Sequence, residues 1–92
     1  MGKSLTKIIL YGSYARGDYT ENSDIDIMIL TTLTNEEIEE VEGKIFDLAF
    51  DFQMEQLVDI SVIIKNEEQF NYWLGILSFY DNVQREGVVI DE

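Results

Sequence analysis

Apolar and polar positions change their spacing several times along this chain, and each change predicts an element. Leu5 to Tyr11 (LTKIILY) is a short, partly β-branched apolar run that stops at Gly12, which predicts a first strand. Residues 12–23 form a polar, glycine-containing connection. Ile25 to Leu30, apolar except for Asp26, predicts a second strand. Thr34 followed three residues later by Glu37 is a capping box, with Leu33 and Ile38 placed to staple across it. Glu36, Glu37, Glu39 and Glu40 then crowd the positive end of the helix dipole. Ile38, Val41, Ile45, Leu48 and Phe52 recur at helical spacing, which predicts a helix from Asn35 to Met54 with one apolar stripe. Val58 to Ile64 (VDISVII) reads as the third strand. Asn66 with Gln69 starts another helix, on which Phe70, Trp73, Leu74 and Leu77 share a face. A short helix over Phe79 to Arg85, capped by Gly87, and a small edge strand at Val88 to Ile90 complete the reading. The order β-α-β-α-β-α predicts one α/β domain over residues 1–92, a small sheet covered by helices.

Composition narrows the chemistry. Nineteen acids against six bases, with no histidine, give a net charge of −13. Such a surface is unsuited to nucleic-acid phosphates, whose binding depends on displacing counterions with cations, and to anionic membranes. Without His or Cys there is no basis for a structural zinc site, a Ser–His–Asp or Cys–His centre, or disulfides, and any metal must take oxygen ligands. A cysteine-free chain without a signal-like or membrane-length apolar run fits a cytoplasmic location. The opening Met1-Gly2-Lys3-Ser4-Leu5-Thr6 matches a myristoylation pattern, but no polybasic second signal follows and it reads as entry into the first strand.

Three carboxylates stand out against their surroundings. Asp24 and Asp26 lie two apart at the start of the second strand, so both aim at one face, and Asp59 interrupts the third strand in the same manner. If those strands are neighbours, the acids converge at one end of the sheet. Mutually repelling carboxylates suit a hard divalent cation such as Mg²⁺, and paired ions serve phosphoryl and nucleotidyl transfer. Gly12-Ser13-Tyr14-Ala15-Arg16-Gly17 directly follows a strand; Gly12 lets backbone approach a ligand, Ser13 offers a hydroxyl and an N–H, and Arg16 is one of few cations. Read blandly, each acid is a solvated turn residue and Arg16 a surface partner of Asp18 or Glu21. The loop is not a Walker P-loop, and Asp18 to Ile29 lacks the glycine and glutamate of an EF-hand.

Gly12-Ser13, ten residues, then Asp24-Ile25-Asp26 resembles the signature of the DNA polymerase β-type nucleotidyltransferase superfamily. The fuller runs GSYARG, SDIDIMIL and EGVVI resemble its minimal members, the MNT antitoxins of HEPN–MNT toxin–antitoxin pairs. The resemblance implies an α/β (α+β) fold with a small mixed sheet. It implies that Gly12 and Ser13 hold a nucleoside triphosphate, that Arg16 contacts phosphate or braces the loop, and that Asp24, Asp26 and Asp59 are catalytic ligands of two Mg²⁺ ions. It further implies transfer of AMP, or another nucleoside monophosphate, from ATP or another nucleoside triphosphate to a hydroxyl of a partner protein of the HEPN type. The alternative is an antitoxin that neutralises its partner by contact alone. The aromatic residues Phe70, Tyr72, Trp73, Phe79 and Tyr80 are either docking surface or core.

Overall fold

Strand β1 (Leu5–Tyr11) ends where Gly12 turns the chain into a single helical turn, α1 (Ser13–Arg16). Strand β2 (Ile25–Thr31), helix α2 (Asn35–Gln56), strand β3 (Ile60–Asn66), helices α3 (Glu67–Trp73) and α4 (Ser78–Glu86) and a two-residue strand β4 (Val88–Val89) follow. The structure is a computed structural model that describes residues 5–18, 20 and 23–90; Met1 to Ser4 of the myristoylation pattern, and Glu21, lie outside the described residues.

The sheet order is β3-β2-β1-β4, and the sheet is mixed: β1 runs antiparallel to β2 and β4, whereas β2 and β3 are parallel. A parallel pair needs a long crossover, and α2 supplies it. Side chains alternate across β2, so Asp26, Met28 and Leu30 share one face. Met28 and Leu30 are buried there with Ile9, Phe70 and Val83, and with Tyr11, Ile63, Leu74 and Tyr80 packed around them. That face is closed by α3 and α4. On the opposite face α2 lies along β3, and Ile38 and Ile64 are buried.

Local signals explain the helix starts. The Thr34 hydroxyl accepts from the Glu37 N–H at 3.2 Å, and the Glu37 carboxylate accepts from the Thr34 N–H at 3.1 Å, so the capping box is reciprocal. Asn66 caps α3 through Gln69 N–H at 3.1 Å and donates its amide to the Leu33 carbonyl at 2.7 Å, fastening α3 to the start of α2. Thr34→Ala removes a side-chain cap and should cost about 1 kcal/mol, read as a lower midpoint in urea at unchanged slope.

The structure corrects several expectations. α2 runs two residues further than Met54, and Leu57 closes it in the left-handed region at φ 58. The third strand accordingly begins at Ile60 rather than Val58, so Asp59 stands just before the strand instead of interrupting it. The expected stripe on α2 holds only in its first half: Ile38 is buried and Val41 and Ile45 half-buried, but Leu48 and Phe52 are exposed. The reason is length. Twenty-two helical residues span about 33 Å, whereas a seven-residue strand spans about 23 Å, so the helix outruns the sheet that would cover it. Among the aromatic C-terminal residues, Phe70 is core and Tyr80 packs on it, while Tyr72 and Phe79 are exposed. Gly87 does cap α4, but with φ −70 rather than in the left-handed region. A glycine is needed there because a Cβ would strike the Val83 carbonyl oxygen and Ile9 Cγ2.

Candidate active site

The end of the sheet that carries the acids is built by three strand termini. Gly12 leaves β1 at φ 77, ψ −154, a backbone region that only glycine occupies comfortably. Its carbonyl accepts from the Arg16 N–H at 3.1 Å, and Gly17, at φ 82, ends the turn with its own N–H on the Ser13 carbonyl at 3.0 Å. The first amides of such a turn have no partner within it.

Asp26 sits across this turn. It pairs in register with Tyr11 on β1 and with Ser61 on β3, and its carboxylate oxygen Oδ2 occupies the space that a Cβ on residue 12 would need. The glycine loop and the acid are therefore one fitted unit. Burial pushes the Asp26 carboxyl above the usual carboxylate range, and the charge of Asp24 adds to this; Arg16 draws it back. Burial, and then the Asp26 charge, likewise raise the Tyr11 phenol.

Asp24 lies exposed one residue before β2, and Asp59 lies exposed one residue before β3. The Ile25 N–H donates to the Asp59 carbonyl at 2.8 Å, which fixes the two strand starts side by side. Among the described residues, no three acidic side chains come together as a group able to hold a metal ion. The structure thus couples Asp24 with Asp26 and leaves the Asp59 side chain apart. The donor chemistry of the pair fits a hard cation: two carboxylates, all oxygen, with mutual repulsion and only one cation, Arg16, acting on Asp26.

Arg16 is engaged. Its guanidinium donates to Asp18 at 3.2 Å, as the bland reading had it, and to Glu86 at the far end of α4 at 3.4 Å. Exposed pairs of this kind add little stability, but Arg16 and Glu86 both line a cleft of about 230 Å³, with Tyr11, Gly12, Phe79, Asn82 and Val83. The Tyr11 ring meets Phe79 edge-on at 5.8 Å, Phe79 meets Tyr80 at 5.6 Å and Tyr80 meets Phe70 at 5.3 Å, a series of rings from cleft to core. Tyr11, Phe79, Asn82 and Glu86 were not singled out for this site from the sequence. Glu86 opens the EGVVI run, the one signal that could have pointed to it.

A mixed sheet with a glycine–serine turn after its first strand and aspartates at the start of the next is the arrangement of a nucleotidyltransferase fold. The chain belongs to the nucleotidyltransferase domain family, whose model matches residues 1–91. It is 42% identical over 86 residues to a protein of Methanocaldococcus jannaschii named "Putative protein adenylyltransferase", a match covering 94% of this chain and 78% of that one. A second protein of that organism with the same description is 36% identical over 90 residues, covering 94% of this chain and 79% of its own. Among solved structures, a toxin–antitoxin crystal structure with AMP-PNP superposes with a TM-score of 0.58 at 26% identity, over 94% of this chain. This chain spans 60% of that one. A mutant toxin–antitoxin structure, at 23% identity and the same TM-score, shares the fold. Among the described residues no helix is long and apolar enough to cross a membrane.

Proposed function

We propose that this protein transfers AMP from ATP to a hydroxyl group on a partner protein and thereby neutralises that partner as an antitoxin. The observation that carries the reading is the fit of the Gly12 turn against the Asp26 carboxylate, on which the Asp24 charge also acts. The names of the related proteins and of the toxin–antitoxin structure with AMP-PNP support the donor and the kind of acceptor. The HEPN class of partner follows from the motif resemblance.

In this reading Gly12 and Ser13 seat the triphosphate with backbone N–H groups and the Ser13 hydroxyl. Asp24 and Asp26 would hold Mg²⁺, with Asp59 as a third carboxylate set apart from them at the neighbouring strand start. Bound Mg²⁺ supplies charge neutralisation at the phosphates and lowers the barrier to displacement. The acceptor oxygen attacks the α-phosphorus, a new P–O bond forms as the bond to pyrophosphate breaks in line, and the acceptor proton passes to the exposed Asp59 carboxylate and on to water. With no histidine in the chain, the base is a carboxylate. Arg16 must loosen its hold on Asp18 or Glu86 to reach a phosphate, and otherwise braces the turn.

The test is direct. Incubation with the protein encoded beside it, ATP and Mg²⁺ should add the mass of AMP to that protein, with pyrophosphate released in equal amount. Neutralisation of the neighbour without any added mass would replace this reading with a contact-only antitoxin.

A further inference from the structure

The second half of α2 exposes apolar side chains on two sides: Leu48 and Phe52 where the helix outruns the sheet, and a separate row on its outer side. Phe46, Phe50, Met54 and Leu57 are 44%, 59%, 61% and 89% exposed. Their spacing of four, four and three places them on one stripe of the helix. That stripe points away from the half-buried face of Val41, Ile45 and Ala49. Leu57 also holds the left-handed cap position at φ 58, where glycine is ordinarily the cheaper choice. A large apolar side chain kept in an unfavourable conformation, in full solvent, does nothing for the monomer.

Beside the apolar row runs an acidic one. Asp47, Asp51 and Glu55 each follow a stripe residue by one position and are all exposed, so the two rows lie parallel. α2 contains eight acids and a single lysine, Lys44. A second copy would bring like rows together in a chain already at −13, which disfavours self-pairing. The complementary surface is a helix with an apolar stripe flanked by Lys or Arg.

The stripe also ends near the site, on the side of the sheet opposite the face that carries Asp26. α2 returns from the end of β2 to the start of β3, so its last turn arrives at the end of the sheet that bears Asp24, Asp26 and Asp59. Leu57 precedes Asp59 by two residues, and the Gln53 side chain accepts from the Ile60 N–H at 3.3 Å, fixing helix end to strand start. We infer that the outer face of α2, from Phe46 to Leu57, docks a basic amphipathic helix of the partner and so holds the acceptor hydroxyl at the carboxylate end of the sheet. This deepens the partner-adenylylation reading and rests on it for the identity of the acceptor.

Two probes separate the two claims. The first is a fluorescent synthetic helical peptide with leucines on one face and lysines flanking them, together with its glutamate-flanked counterpart. The second is the neighbour-encoded protein. The full-length protein should bind the lysine peptide and not the glutamate one. Phe50→Ser/Met54→Ser should weaken peptide and neighbour binding at least about tenfold, and Asp47→Asn/Asp51→Asn/Glu55→Gln should flatten the salt dependence of both. Leu57→Gly relieves the cap conformation, so it should keep or raise thermal stability while weakening binding, which guards against misfolding of the serine variant. Binding of ATP with Mg²⁺ should be unchanged in all of them. Wild-type affinity of these variants for a neighbour that is still labelled overturns the docking face and leaves the adenylyltransferase reading standing. A neighbour that binds through the face without being labelled overturns that reading and keeps the face. Dimerisation in sedimentation that the serine variant abolishes would overturn the proposal in favour of a second copy.

Discussion

Asp26→Asn should abolish nucleotidyl transfer and at the same time stabilise the metal-free protein. The first half follows from the proposed mechanism: Asp26 is the acid fitted against the Gly12 turn, and removing its charge would remove a Mg²⁺ ligand, for a loss on the order of 10³-fold. The second half follows from its electrostatics. Burial and the Asp24 charge favour the neutral carboxyl in the folded state. The folded chain therefore carries a penalty that is fully present above the raised pKa and disappears once the pH falls below the ordinary carboxylate value of 3.8. Asparagine escapes it. The variant should melt above wild type at pH 7, and the gap should close as the solution is acidified through that window. Adding Mg²⁺ should raise the wild-type midpoint and leave the variant unmoved, because only the former gains a bound ion. A variant that melts lower at neutral pH and still labels its partner would refute the role assigned to this carboxylate.

Gly12→Ala should be the costliest single change in the glycine turn, about 3 kcal/mol in urea unfolding. Two effects add. The backbone at φ 77, ψ −154 excludes side chains, and the new Cβ would meet the Asp26 oxygen. Gly17→Ala isolates part of this, since Gly17 has φ 82 but open space around it, and should cost about 1 kcal/mol. Combining Gly12→Ala with Asp26→Ala removes the collision but not the backbone strain, so the double variant should lose less than the sum of the singles by about 1 kcal/mol. Strict additivity would show that glycine and acid are not in contact.

Much of this fold is written locally. The Thr34–Glu37 box and the Asn66–Gln69 cap are sequence patterns whose hydrogen bonds form as read, because both partners lie within one turn. The strand starts were harder. Val58 and Asp59 look like part of an apolar run, yet two more helical residues and a left-handed turn at Leu57 consume them before pairing begins at Ile60. On α2, helical spacing shows which residues share a face but not where the sheet beneath ends, so Leu48 and Phe52 were misplaced. At the site, the spacing of Gly12, Ser13, Asp24 and Asp26 was legible because one turn and one strand place them. The approach of α4 to Arg16 was not, because Glu86 lies 70 residues away and nothing local ties the two.

Strand β4 lies against β1, with Ile9 opposite Val89 and Leu10 opposite Val88. On the ribosome, β1, β2 and β3 can assemble as soon as Asn66 has emerged, while one edge of β1 and the Tyr11 side of the cleft wait for α4 and β4. Pairing between distant segments is slow because loop closure precedes its reward. The nascent chain thus passes through a stage in which the aspartates are in position but the cleft has no far wall. A product cut short before α4 would keep the glycine turn and the aspartates and lose Phe79, Asn82 and Glu86, which line the far side of the cleft.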